Sequence, residues 1–151
     1  MQEAYSAGVL VALLVNEELA EVGVPPQLFS FLGFVAAVEP VTPSELAAET
    51  GMPPTTIRDY VRQLVERGDI RRARNPADGR SYHILLTAQG RRLMDRGWPA
   101  VQSAYARVAP HLVHDPDAHL QMARELRSAL KLAVADKQLE AQAEAGAPAN
   151  R

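Results

Sequence analysis

Residues 42–87, TPSELAAETGMPPTTIRDYVRQLVERGDIRRARNPADGRSYHILLT, decide the fold. Thr42-Pro43-Ser44-Glu45 is a capping box with proline at the first helical position. The Thr42 hydroxyl can accept from the Glu45 amide while the Glu45 carboxylate reaches back to the Thr42 N–H. The short helix it opens should stop at Gly51, a natural left-handed position. A second helix, Thr55 to Arg67, carries Ile57, Val61 and Leu64 at i, i+4 and i+7, a buried stripe. Thr55, Thr56, Arg58, Asp59, Arg62, Gln63 and Glu66 are left facing outward. Ile70–Arg74 and Ser81–Leu86 then read as short strands around a turn-rich loop, Asn75-Pro76-Ala77-Asp78-Gly79. Helix, turn, helix and hairpin in this order make a winged helix-turn-helix. Its second helix suits the major groove and its hairpin tip the neighbouring minor groove.

The charge distribution points the same way. Residues 1–57 hold seven acidic and no basic side chains, whereas ten arginines fall between Arg58 and Arg96 among only five acids. The remainder is balanced, and the net charge is −2. The total would not suggest nucleic acid, but concentrating arginine on one helix and one hairpin suits a polyanion. Thr42, Ser44, Thr55, Thr56, Arg58, Asp59, Arg62, Arg74, Asp78 and Arg80 are the candidate DNA-binding residues. Thr55, Thr56, Arg58, Asp59 and Arg62 sit where the helix would point into the groove. Arg80, beside Asp78 at the hairpin tip, is the natural minor-groove probe, drawn by the negative potential of narrow A·T stretches.

Outside this stretch the chain reads as helix. Glu3–Val22 is apolar almost all the way round, which demands cover on all sides, and a second subunit is the expected source. Gly23-Val24-Pro25-Pro26 breaks it, and the next helix, to about Val38, carries Leu28, Phe29, Phe31, Leu32 and Phe34. Thr87 caps a long helix to about Ala109 with a seam of Met94, Trp98, Val101, Tyr105 and Val108, and Pro99 should kink it. A last helix should run from about Asp117 to Leu139, with Leu120, Ala123, Leu126, Leu130 and Val134 on one side, and the tail 140–151 should be flexible.

The expected fold is therefore mainly α (α+β). A winged helix-turn-helix DNA-binding domain spans 23–87, and a helical dimerisation domain is built from both chain ends, 1–22 and 88–139. The Ala4–Val15 run is about half the length a membrane helix needs and lacks the basic start of a signal peptide, so a cytoplasmic location is expected and no membrane partner. With no cysteine there are no disulfides or thiolate metal sites. His111-x-x-His114-Asp115 has metal-like spacing but no apparent third strong ligand, and His83, alternating with Tyr82 and Ile84, reads as structural. No phosphate loop, nucleophile elbow or catalytic carboxylate pair appears, so no enzyme, no metal and no cofactor are expected.

Val41-Thr42-Pro43-Ser44-Glu45-Leu46-Ala47 through Leu86-Thr87-Ala88-Gln89-Gly90 resembles the MarR family of winged-helix transcription regulators. Asp78-Gly79-Arg80-Ser81 followed by Leu86-Thr87-x-x-Gly90 is the most specific part. Val61, Leu64, Glu66, Arg67 and Gly68 match that family's recognition-helix ending. The resemblance implies a homodimer on a pseudo-palindromic operator of double-stranded DNA, usually repressing transcription. It also implies a small, often aromatic effector between the dimer and DNA-binding regions, which here would meet Phe31, Phe34, Trp98 and Tyr105. The first two helices contain no Arg, Lys or His, so such a pocket should prefer neutral or cationic aromatic ligands. Two positions depart from the family pattern. Pro53 cannot give the recognition helix the side-chain cap that Ser or Thr often gives it. Asp59 places an acid on the helix face meant for DNA, which costs affinity unless it accepts a hydrogen bond from a cytosine amine. The alternative is a winged-helix module that binds an acidic protein partner instead of DNA.

Overall fold

The computed structural model of the chain describes residues 2–113 and 115–146. The elements run α1 (Gln2–Leu19), α2 (Pro26–Val38), α3 (Pro43–Thr50), α4 (Pro54–Glu66), β1 (Ile70–Arg74), β2 (Tyr82–Leu86), α5 (Ala88–Val108) and α6 (Pro116–Gly146). Short 3-10 turns follow α1 and α5. The chain divides into two compact units, one ending at His111 and one beginning at Leu112.

Local chemistry places each boundary in the first unit. The capping box before α3 forms in full: the Glu45 amide donates to Thr42 Oγ1 at 3.2 Å, and the Thr42 amide donates to Glu45 Oε2 at 2.7 Å. Gly51 ends α3 at φ 72°, a left-handed conformation that costs glycine nothing. Pro53 precedes α4 without any side-chain cap, as its chemistry requires. Thr87 caps α5 by accepting from the Gly90 amide at 3.1 Å, and its hydroxyl donates to the Gly68 carbonyl at 2.7 Å.

The core lies where α2 meets α3, α4, α5 and the sheet. Phe31, Leu32, Val35, Leu46, Val61, Leu64 and Ile84 are fully buried, and Ile57 nearly so. The anticipated α4 stripe thus faces inward as a unit. The strands pair antiparallel with Ile70 opposite Leu86 and Arg74 opposite Tyr82. The hairpin is also joined by a third, one-residue strand: Val41 exchanges both backbone hydrogen bonds with Ile84 at 3.3 and 2.7 Å. That bridge ties the start of α3 to the wing.

The start of α5 is bolted to the domain at two places. Glu39, after α2, accepts from the Leu86 amide at 2.6 Å and pairs with Arg91 at 2.6 Å. Asp69, 1% exposed, pairs with Arg67 Nε at 2.8 Å and accepts from Gln89 Nε2 at 3.1 Å. At Gly90 a side chain would overlap the Asp69 carbonyl, so glycine permits this approach. Further along, α5 continues through Pro99 as one helix, and Gly97 lets it lie directly against the Phe29 ring.

α1 packs on α5, and Glu18 pairs with Arg107 at 2.8 Å. Leu19 is buried, while Val9, Leu10, Val11 and Leu13 remain 43–61% exposed. In the second unit α6 extends to Gly146, beyond the expected end at Leu139 and into the tail expected to be flexible. Its Ala- and Glu-rich continuation favours helix and contains no breaker before Gly146. Residues 147–151 of that tail, and His114 of the histidine group, lie outside the described residues. Among the described residues no single helix is long and apolar enough to cross a membrane.

Candidate nucleic-acid interface

The arginine block separates into two kinds. Arg67 and Arg91 are architectural: each is held by an acid that is buried or nearly so, Asp69 or Glu39. Arg67 also donates to the Gly23 carbonyl at 3.4 Å, linking the end of α4 to the turn after α1. By contrast Arg58 and Arg62 on α4, Arg72 and Arg74 on β1 and Arg80 at the wing tip all have exposed side chains. Clustered, solvated guanidinium groups of this kind can neutralise phosphates without first breaking a structural bond.

A cleft of about 250 Å³ joins the parts: Pro43 and Ser44 from α3, Pro54, Ile57 and Arg58 from α4, and Tyr82 from β2 line it. Ser44 and Arg58, named from the sequence, are thus brought together. Arg72 and Tyr82 are additions. The Arg72 guanidinium lies 4.8 Å from the Tyr82 ring centroid, a cation–π contact that fixes its direction. The strand register carried the signal, because Arg72, Arg74 and Tyr82 continue the face of Ile70, Ile84 and Leu86 beyond the core.

The other sequence candidates occupy distinct situations. Thr55 is exposed on the first turn of α4, and Thr56 is half-buried. Thr42 gives its hydroxyl to the cap, accepting from the Glu45 amide and donating to the Glu45 carboxylate at 2.9 Å. It positions α3 and has no hydroxyl proton left for DNA. Asp78 likewise shapes the wing tip, its Oδ1 accepting from the Arg80 amide at 2.9 Å. That bond shapes the turn that presents Arg80. Asp59 pairs with Arg62 at 3.0 Å across the outer face of α4. Glu45 is held below the usual carboxylate range, first by the Thr42 backbone hydrogen bond, then by the Thr42 hydroxyl, with His83 adding a smaller attraction.

The four aromatic residues expected around an effector occupy different surroundings. Phe31 is fully buried and stands edge-on to Tyr60 at 5.4 Å, because α2 turns that face toward α4. Phe34 packs against the core, and Trp98 is 54% exposed on α5. Tyr105 alone of the four lines the apolar cavity of about 330 Å³ between α1 and α5, with Val11, Leu14, Val15, Val101, Ala104 and Val108.

A family model for the MarR family matches residues 22–81, from the turn after α1 to the tip of the wing. The chain has the fold of the MarR family. A MarR-family transcriptional regulator from Rhodococcus sp. RHA1 is 28% identical, with a TM-score of 0.70 over 84% of this chain and 89% of that one. CouR from Rhodococcus jostii RHA1, bound to p-coumaroyl-CoA, is 27% identical, with a TM-score of 0.70 over 85% and 88%. CouR bound to a DNA duplex gives 0.75 over 82% and 89%. MOSR of M. tuberculosis in complex with DNA is 25% identical, with a TM-score of 0.73 over 87% and 96%. No curated protein matches the chain in sequence.

Proposed function

We propose that the chain is a sequence-specific DNA-binding regulator of transcription, acting as a homodimeric repressor in the cytoplasm and without catalysis. The observation that carries this reading is the cleft that unites Ser44, Arg58 and Tyr82, with Arg72 stacked on Tyr82 and the exposed arginines of α4 and the wing around it. α4 would enter the major groove, with Thr55, Arg58 and Arg62 toward base edges and phosphates, while Arg80 follows the minor groove. Relatives of the same fold are bound to DNA, which supports this docking. Val9, Leu10 and Leu13 on α1 leave an apolar face that a second copy would cover, giving two recognition helices for a pseudo-palindromic operator.

The effector reading follows from the cavity between α1 and α5. Its lining is apolar and offers a charge of neither sign, so it suits a neutral aromatic group, and the cationic ligand also expected from the sequence would lack a partner there. CouR bound to p-coumaroyl-CoA supports an aromatic acyl group as the class of ligand. Selection of bound duplexes from a random DNA pool tests the regulatory reading. It should yield a two-fold symmetric site with half-sites about 34–36 Å apart, centre to centre. A pool that stays random after repeated selection would replace the reading with the rival one, an arginine surface for an acidic protein.

A further inference from the structure

We propose that Asp59 and Arg62 form one base-reading unit, in which Asp59 aims Arg62 at a guanine and itself selects a neighbouring cytosine. This rests on the DNA-binding reading above and deepens it, by assigning part of the sequence preference to an acid.

The pair serves no evident need of the fold. It spans i to i+3 on the outer face of α4, with side-chain exposures of 56% for Asp59 and 62% for Arg62. Exposed pairs of this kind contribute little stability. The two architectural pairs differ in kind, since their carboxylates are only 1% and 12% exposed. On a surface meant for phosphates, a carboxylate that offsets one of the arginines lowers affinity for every sequence alike. Its presence in the second turn of the helix calls for a return, and the geometry supplies one.

The contact is single. Asp59 Oδ1 meets Arg62 Nη2 at 3.0 Å. Among the described residues, Asp59 Oδ2 accepts no hydrogen bond, and the remaining guanidinium N–H groups of Arg62 donate to none. One carboxylate oxygen therefore biases the arginine toward one direction while the other stays open. The open parts are complementary to a major-groove pattern. A guanidinium edge matches the O6 and N7 acceptors of guanine, and a carboxylate oxygen needs a donor. Thymine O4 and guanine O6 and N7 present acceptors and would repel it. Adenine pairs its N6 donor with an adjacent N7 acceptor, whereas cytosine presents the N4 donor alone. Asp59 thus selects largely by rejection, while its attraction draws the Arg62 guanidinium toward the neighbouring base.

The test selects bound duplexes from a random pool with wild type, Asp59→Ala, Asp59→Asn and Arg62→Ala. The salt dependence of binding to one fixed random duplex is measured in parallel. Matching thermal melts establish that all four fold, as two exposed side chains allow. For the wild type, each half-site should carry a cytosine and a guanine at fixed spacing, and replacing that cytosine should weaken binding on the order of tenfold to a hundredfold. Asp59→Ala should lose the cytosine preference, bind the random duplex more tightly and steepen the salt dependence. Asp59→Asn should move the preference toward adenine, and Arg62→Ala should lose the guanine. Asp59 variants that select the wild-type bases, or that weaken on every sequence equally, would overturn the proposal while leaving the regulator reading intact. A wild type that binds no duplex in a salt-dependent way overturns both.

Discussion

Gly97 and Gly33 lie inside helices on either side of one contact, α5 against α2, and alanine should act on them with opposite sign. Replacing glycine by alanine inside a helix gains about 0.5–1 kcal/mol, because glycine loses more backbone freedom on folding. At Gly33 a Cβ would rest 3.8 Å from the Met94 methyl, an ordinary contact, so Gly33→Ala should keep that gain. At Gly97 a Cβ would overlap the Phe29 ring, which is 4% exposed and packed in the core. Overpacking of a filled core costs about 1–3 kcal/mol, and the upper part of that range applies where an aromatic ring must shift. Subtracting the helical gain leaves Gly97→Ala destabilised by about 2 kcal/mol. With a urea slope of about 2 kcal/mol/M, its unfolding midpoint should fall by about 1 M, while that of Gly33→Ala should rise by a few tenths. Both midpoints are compared at one protein concentration, since self-association would shift them. If Gly97→Ala unfolds at or above the wild-type midpoint, α5 does not lie on Phe29 as described.

Three further outcomes follow from the same geometry. Arg80→Ala should weaken operator binding mainly at A·T-rich flanks, while Arg58→Ala should also relax base preference, costing roughly 1–3 kcal/mol for a bidentate contact; competition with altered duplexes reads both. Glu45 is held below its usual range by the Thr42 cap, so its contribution is complete above that range and disappears as pH falls through the depressed value. The gap in urea midpoint between wild type and Glu45→Gln should therefore be present at neutral pH and close only in strong acid, and a gap independent of pH would refute the cap's charge. Leu10→Asp with Leu13→Asp should convert a dimer to monomer in light scattering at micromolar concentration, and a wild type already monomeric there would remove the second copy from the account.

The parts of the fold written in local chemistry were legible before any coordinates. Thr42 with Glu45, Gly51, the Ile57–Val61–Leu64 stripe and Thr87 each act through neighbours in sequence, and each lies where the pattern placed it. What escaped depends on residues far apart in the chain. The Val41 strand needs Ile84, the Glu39 clamp needs Leu86 and Arg91, and the Asp69 joint needs Gln89. The candidate site divides the same way. Ser44 and Arg58 meet in a cleft as the helix-turn-helix pattern implies, but Tyr82 and Arg72 enter only through the hairpin register. Composition also counted ten arginines as one block, although burial of Asp69 and Glu39 withdraws two of them into the architecture. Phe31 shows the converse limit: an aromatic residue on an all-apolar helix does not reveal which neighbour it faces.

The central claim is that the exposed arginines of α4 and the wing neutralise DNA phosphates. Titration of the wild-type protein into a labelled duplex carrying its selected site, at about 50 and about 200 mM salt, measures this directly. With six or more phosphate contacts the affinity should drop on the order of a thousandfold between the two conditions. Removing Arg72 or Arg74 should flatten the dependence by about one contact per subunit, about two for the dimer. An affinity that barely changes with salt, or no duplex binding at either concentration, would contradict the account.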